Sequence, residues 1–257
     1  MLRAGRKYGQ SRQCSIFTNY HIDSAAENEI FLEFQVDYLL RALRSAQNAV
    51  DVMMKLTKKN GVPLLSLIMS HSSRGGKRLE LVQDIPVKVL SPNQMASLKE
   101  PVCPLPQVYI MMPNLQNLQM VAERMKALSE HIIVSANMAG EFTIKVETDL
   151  VQVETFYHGL QNPELDTTQM DITDHPSVLH DKHAFASARV DTKSFVKFLY
   201  SHHVGPQNVI CSIVEGYALI FYVYIGTVAN EGEAGREPTA LQKEQGLLTF
   251  YLPVRHE

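Results

Sequence analysis

The spacing of apolar positions switches between two periods along the chain, and the order of the switches predicts strand, helix and then strands, repeated three times. The middle copy is the clearest. Gln107–Met112 is predicted as a strand, Pro113 and Asn114 supply a stop and a helix N-cap, and Leu115, Leu118, Ala122, Met125 and Leu128 recur at helical spacing. Strands His131–Asn137 and Glu141–Glu147 then flank a Met138-Ala139-Gly140 turn, with Phe142, Ile144 and Val146 on one face and Thr143, Lys145 and Glu147 on the other. A further strand is predicted over Leu150–Tyr157.

The last copy opens with a strand over Ala184–Val190 and an N-cap at Asp191. Its helix carries Phe195, Phe198, Leu199 and His202 on one side and ends at Gly205-Pro206. Strands Asn208–Val214, Tyr217–Ile225 and Leu247–Val254 follow, the last two separated by a polar loop rich in Gly and Glu. In the first copy Glu29–Phe34 is the strand, and Asp37 is expected to cap a helix whose Leu39, Leu40, Leu43 and Ala46 face inward. Strands at Asp51–Lys58, Leu64–His71 and Leu79–Val89 complete it. Ahead of it Cys14–Ile22 has the look of an orphan strand, and residues 1–14 an unstructured lead-in. Ser91–Pro106, with four prolines and no periodicity, has the composition of an interdomain connector. The organisation expected is α+β, with a partial domain at 15–90, a connector at 91–106 and a complete domain at 107–257.

Composition narrows the chemistry. A hydrophobic share of 45% over 257 residues supplies a sizeable core, and 24 basic against 27 acidic residues leave a charge of −3, so any nucleic-acid contact must come from local patches. Cys14, Cys103 and Cys211 are widely spaced and form no CxxC, which argues against a disulfide framework or a zinc ribbon. No apolar run reaches the roughly 18 residues of a membrane span. Asp174, His175, His180, Asp181 and His183 are ligand types, as are His202 and His203. Their spacing matches no metal motif, and His202 and His203 are expected on different sides of a helix. No phosphate-binding or nucleophile motif occurs. Gln245, Leu248 and Tyr251 resemble a degenerate clamp-binding peptide, but the alternation of Leu248, Phe250 and Leu252 favours a terminal strand.

Paired strand-helix-strand units across a Pro-rich connector resemble the sliding-clamp fold of proliferating cell nuclear antigen. Within that fold the chain is similar to the Hus family, named for hydroxyurea sensitivity, of checkpoint clamp subunits. The resemblance rests on AENEIFLEF and LLRALRSAQNA within 26–49, QDIPVKVL at 83–90 and LKEPVCPLPQVYIMMP at 98–113. It continues through VAERMKALSEHIIVSANMAGEFTIKVETDLV at 121–151, LQNP at 160–163 and FYLPV at 250–254. The family begins with one more unit, four in two domains. By that resemblance this chain has three and a stub, as a truncated isoform, an incomplete gene model or a form that closes no ring.

The resemblance implies a non-enzymatic, nuclear subunit without cofactor or metal. It would assemble with two paralogous Rad-type subunits, be placed by a clamp loader around double-stranded DNA without sequence specificity, and recruit checkpoint and repair proteins. Arg41, Arg44, Arg124, Lys126, Lys193 and Lys197 would face the DNA, although such charges are also what the solvated face of an amphipathic helix carries. Edge strands around Glu80, Val82, Asp84 and Val87, and around Val151, Val153, Thr155 and Tyr157, would join neighbouring subunits. Met95, Leu98, Val102 and Leu105 of the connector would border a peptide-docking surface. The rival readings are an inactive or dominant-negative clamp form and a generic α+β interaction module that does not bind DNA. A clamp places its helices on one concave side with basic residues outward, whereas a generic module need not.

Overall fold

The computed structural model describes residues 17–25, 27–72, 76–97, 102–163, 181–225 and 246–255. The chain divides into two compact units, one spanning Phe17–Glu100 and the other including Pro101–Glu257.

In the first unit β1 (Phe31–Phe34) runs into helix α1 (Val36–Ala46), followed by β2 (Asp51–Lys59), β3 (Val62–Ser72), β4 (Arg78–Leu90) and a short helix α2 (Pro92–Ser97). The four strands form one antiparallel sheet in the order β1-β4-β3-β2. Asn60 and Gly61, both with positive φ, make the two-residue turn that joins β2 to β3 and match the right-handed twist of the flanking strands. Leu65, Leu67, Met69, Ile85 and Val87 pack with Ala42 of α1 in a small core.

Several expectations for this unit are corrected. The described residues 17–22 form no strand, and residues 14–16 of that expected strand lie outside the described residues. Gln35, not Asp37, occupies the N-cap position; Asp37 sits in the first turn, where its charge complements the positive end of the helix. Leu40 (42% exposed) and Leu43 (48%) do not face inward. The sheet reaches only Leu39, Ala42 and Ala46, so the apolar stripe of α1 is wider than the surface that covers it. Part of the connector, expected to lack regular structure, is helical at α2.

The second unit contains β5 (Val108–Met111), α3 (Leu115–Lys126), β6 (His131–Ala136), β7 (Phe142–Glu147) and β8 (Gln152–Tyr157). Then come β9 (Ala186–Asp191), α4 (Thr192–Leu199) with a 3-10 turn over Tyr200–Val204, β10 (Asn208–Val214), β11 (Ala218–Ile225) and β12 (Gly246–Pro253). Its two sheets have the orders β8-β7-β6-β9 and β12-β11-β10-β5. Each strand-helix-strands repeat therefore lends its first strand to the sheet of the other: β9 pairs with β6, and β5 with β10.

Helices α3 and α4 pack against each other and share one core with both sheets. Phe195, Phe198 and Phe221 lie at its centre, with the Phe198 and Phe221 rings stacked 3.7 Å apart. Asn114 accepts from Asn117 N and Asp191 from Ser194 N, so both helices begin on the side-chain caps their sequences announce. Thr143, expected on the solvent face of β7, is buried. Among the described residues no helix is long and apolar enough to cross a membrane.

Candidate subunit interface and nucleic-acid face

Strand β8 is a sheet edge: one side pairs with β7 and the other carries no strand among the described residues. Side-chain parity along it is sharp. Val153 and Tyr157 pack against the core, and Thr155 shares their face, whereas Gln152, Glu154 and Phe156 point outward. Phe156, 56% exposed and stacked on the ring of His158, is the large apolar side chain this edge presents. The candidate residues Val153, Thr155 and Tyr157 thus mark the strand but not its outward face, and Val151 lies exposed just before the strand begins. Phe156 is not among the residues expected from the sequence; asking which parity of β8 must face the core would have found it.

The β8 edge is held in place by a polar turn. Asn137, fully buried, donates from Nδ2 to Glu141 Oε2 at 2.6 Å and accepts at Oδ1 from the amides of Ala139 and Glu141. Asn162 Nδ2 donates to the carbonyls of Tyr109 (2.6 Å) and Asn137 (3.2 Å), tying the chain after β8 to β5 and to the β6–β7 turn. Gly140 completes that turn at φ +81°, and its carbonyl accepts from Leu160 N at 3.0 Å.

The second expected edge is only partly an edge. From Val87 to Leu90, β4 is paired with β1 on one side, and Leu64–Ser72 of β3 occupies the other side from Arg78 to Pro86. Val87 is buried in the core with the opposite parity to Glu80, Val82 and Asp84, so it offers no side chain to a neighbour. Asp84 is engaged within its own sheet, accepting from Lys59 Nζ and Ser66 Oγ; the Lys59 hydrogen bond first, then Ser66, holds its carboxyl below the ordinary value despite some desolvation.

Arg124 and Lys126 of α3 and Lys193 and Lys197 of α4 are not buried in the core that these two adjacent helices share, and their charged ends are turned away from it. Lys126 is held 3.3 Å from Glu123, whose other oxygen accepts from Tyr200. Arg41 and Arg44 are exposed on α1 of the other unit. A hollow of about 460 Å³ between α3 and the 3-10 turn is lined by Gln116, Gln119, Glu123, Arg124 and the two histidines. His202 and His203 are not on different sides of a helix: within the 3-10 turn their rings lie 4.0 Å apart and both line this hollow.

Of the connector residues, Met95 is half-buried, Val102 is 96% exposed and Leu105 is exposed, while Leu98 lies outside the described residues. Cys103, beside them and not among the expected residues, packs on Val214, Ala218 and Ile220 and pins the connector's end to the outer face of the β10–β11 sheet. Burial pushes the thiol of Cys211 up. Asp174, His175, His180 and Gln245 lie outside the described residues. Asp181 caps its own turn through His183 N, and among the described residues no three His, Cys, Asp or Glu side chains are grouped to hold a metal.

Residues 7–256 match the family model described as Hus1-like protein. The chain is 41% identical over 221 residues to Checkpoint protein hus1 of Schizosaccharomyces pombe, covering 86% of this chain and 77% of that protein. It is 35% identical over 213 residues to Checkpoint protein HUS1 of Homo sapiens, covering 81% and 73%. Among solved structures it is similar to proliferating cellular nuclear antigen from Entamoeba histolytica, with a TM-score of 0.53 at 16% identity over 86% of this chain and 71% of that one. The antigen from Thermococcus kodakaraensis gives the same TM-score at 12% identity, over 86% and 72%. Both share the clamp fold.

Proposed function

Because this chain belongs to the Hus1-like protein family, we propose that it serves as one subunit of a heterotrimeric checkpoint clamp, which encircles DNA at damage sites in the nucleus and recruits signalling and repair proteins. The observation that carries the reading is the open β8 edge with Phe156 outward. Such an edge offers a row of backbone N–H and C=O groups, and a paralogous subunit with a matching edge strand extends the sheet across the joint. The cationic faces of α3 and α4 support the DNA half of the reading. Arg124, Lys193 and Lys197 offer charge to phosphates without the base-edge geometry that sequence reading needs. A clamp loader and the two Rad-type subunits belong to the same proposal.

A second reading has its own observation. Strand β1 occupies one side of β4 over Val87–Leu90, which shortens the other joint and favours a chain that engages one partner through β8 and closes no ring, a dominant-negative form.

Co-expression with both paralogous subunits, followed by native mass determination, tests the two together. A one-to-one-to-one complex that is lost in Phe156→Asp is the result expected of a clamp subunit. A complex with one partner only supports the second reading, and recovery of this chain without either partner overturns both. In the trimer, charge reversal at Arg124, Lys193 and Lys197 should weaken DNA retention and lower the salt slope by about 0.9 for each phosphate no longer neutralised.

A further inference from the structure

The hollow between α3 and the 3-10 turn carries a chemistry that a row of lysines lacks. Along α4, Lys193, Lys197 and Tyr200 stand at i, i+4 and i+7 on the exposed side. In a 3-10 turn residues three apart fall in line, so His203 continues that row, and its ring stacks on Tyr200 at 6.0 Å. The row leads into the hollow, whose other wall is α3 with Gln116, Gln119, Glu123 and Arg124. Glu123 is the one acid among the described residues that line it, and both its oxygens are engaged: Oε2 accepts from Lys126 Nζ and Oε1 from the Tyr200 hydroxyl, each at 3.3 Å. Arg124 makes no ion pair among the described residues. The groups left to meet a ligand are therefore one guanidinium, two side-chain amides and two imidazoles. The guanidinium and the amides are donors, which fits an anion.

His202 adds a condition. Its Nδ1 lies 2.9 Å from the carbonyl oxygen of Leu199, and a carbonyl can only accept, so the hydrogen sits on Nδ1. In the neutral ring Nε2 is then bare and offers a lone pair, which an anion does not accept. Once the ring takes up a proton, Nε2 becomes a charged donor while Nδ1 keeps its bond to Leu199. We propose that this hollow seats one phosphate of the double-stranded DNA backbone and that seating it draws a proton onto His202. The proposal rests on the clamp reading, which turns the α3 and α4 face toward the duplex. The row of Lys193, Lys197 and His203 argues for a polyanion as the occupant. It extends about 15 Å along the chain axis, and a single phosphorylated side chain would leave most of it unused. Arg124 anchors the phosphate at any pH, and His202 makes the grip depend on pH.

The test uses the full chain and a short DNA duplex of arbitrary sequence at low salt, with binding read by fluorescence anisotropy. As the pH falls from about 8 to about 6, affinity should rise by up to about tenfold per pH unit, the mark of one proton taken up. The salt slope should be steeper at the lower pH by about 0.9, for one more cation set against phosphate. His202→Asn keeps a donor for the Leu199 carbonyl but cannot take up the proton, so it should abolish both changes. His21→Gln, which removes an exposed histidine of the other unit, should abolish neither. Arg124→Gln should lower affinity at both pH values and leave the pH dependence in place. In proton NMR of the imidazoles, the duplex should move the titration of His202 to higher pH, because proton and phosphate each strengthen the binding of the other. Failure to bind the duplex overturns the proposal, as does an affinity independent of pH or a pH dependence that survives His202→Asn. A phosphoserine peptide that moves the His202 titration where the duplex does not overturns the choice of DNA. Subunit assembly is read separately by native mass, so a trimer that forms while DNA affinity ignores pH sinks this proposal and leaves the clamp reading standing.

Discussion

Gly140 tests whether the buried turn beside β8 is as tightly determined as its geometry implies. A Cβ there would stand 2.3 Å from the carbonyl oxygen of Leu160, a backbone atom that no side-chain rotation can move. Gly140→Ala therefore carries two costs. The first is that of an L-residue at φ +81°, about 1–2 kcal/mol. The second is displacement of the chain at Leu160, which breaks the Leu160 N to Gly140 O bond and disturbs the Asn137 and Asn162 network behind it, for about 2 kcal/mol more. Gly216 supplies the control: its φ is +74°, but no atom of the described residues lies within 4 Å of an added Cβ, so Gly216→Ala carries the first cost alone. The assay is urea unfolding followed by hydrogen exchange on peptides from residues 107–255, which reports the second unit without interference from the first. The difference between the two variants should be about 2 kcal/mol. Equal destabilisation by the two would refute the close approach of Leu160 as the reason glycine stands at 140.

The Phe17–Glu100 unit should exchange its amides faster than the other unit, because its core is much smaller and leaves α1 largely uncovered; equal protection of the two would contradict this. Asp84 makes the first unit acid-sensitive. Its carboxyl is held below 3.8 by Lys59 and Ser66, so its contribution is fully present above that value and lost as the pH falls through the lowered one. Asp84→Asn should flatten the acid limb of that unit's stability profile below about pH 4, and an unchanged profile would show that the Lys59 pairing is fully screened.

How much was legible in the sequence depended on whether a signal was local. Asn114 and Asp191 cap the helices they precede because an N-cap is settled within three residues. The positive-φ pair Asn60-Gly61 is equally local and marks the β2–β3 turn, a signal that strand periods alone do not use. Leu40 and Leu43 were misplaced because periodicity tells which face of a helix is apolar and cannot tell whether anything lies against it. Periodicity misses the burial of Val87 and the outward face of Phe156 for a related reason. An edge is defined by the absence of a neighbour, and the parity that faces the core follows from the packing of the whole sheet. The approach of the His202 and His203 rings is set by side-chain orientation, to which the apolar pattern is blind.

The lending of first strands between repeats also sets a timetable for synthesis. Met111 of β5 pairs with Ile210 of β10, 99 positions further along the chain. At about 5–20 residues per second, a ribosome needs roughly 5–20 s to make that stretch, and throughout it Val108 and Ile110, fully buried at the end, have no strand to join. Strand β6 likewise waits for β9. The second unit cannot complete either sheet piecemeal as it emerges, so it must fold in one late event, and its nascent chain will need shelter from aggregation until β10 has left the ribosome.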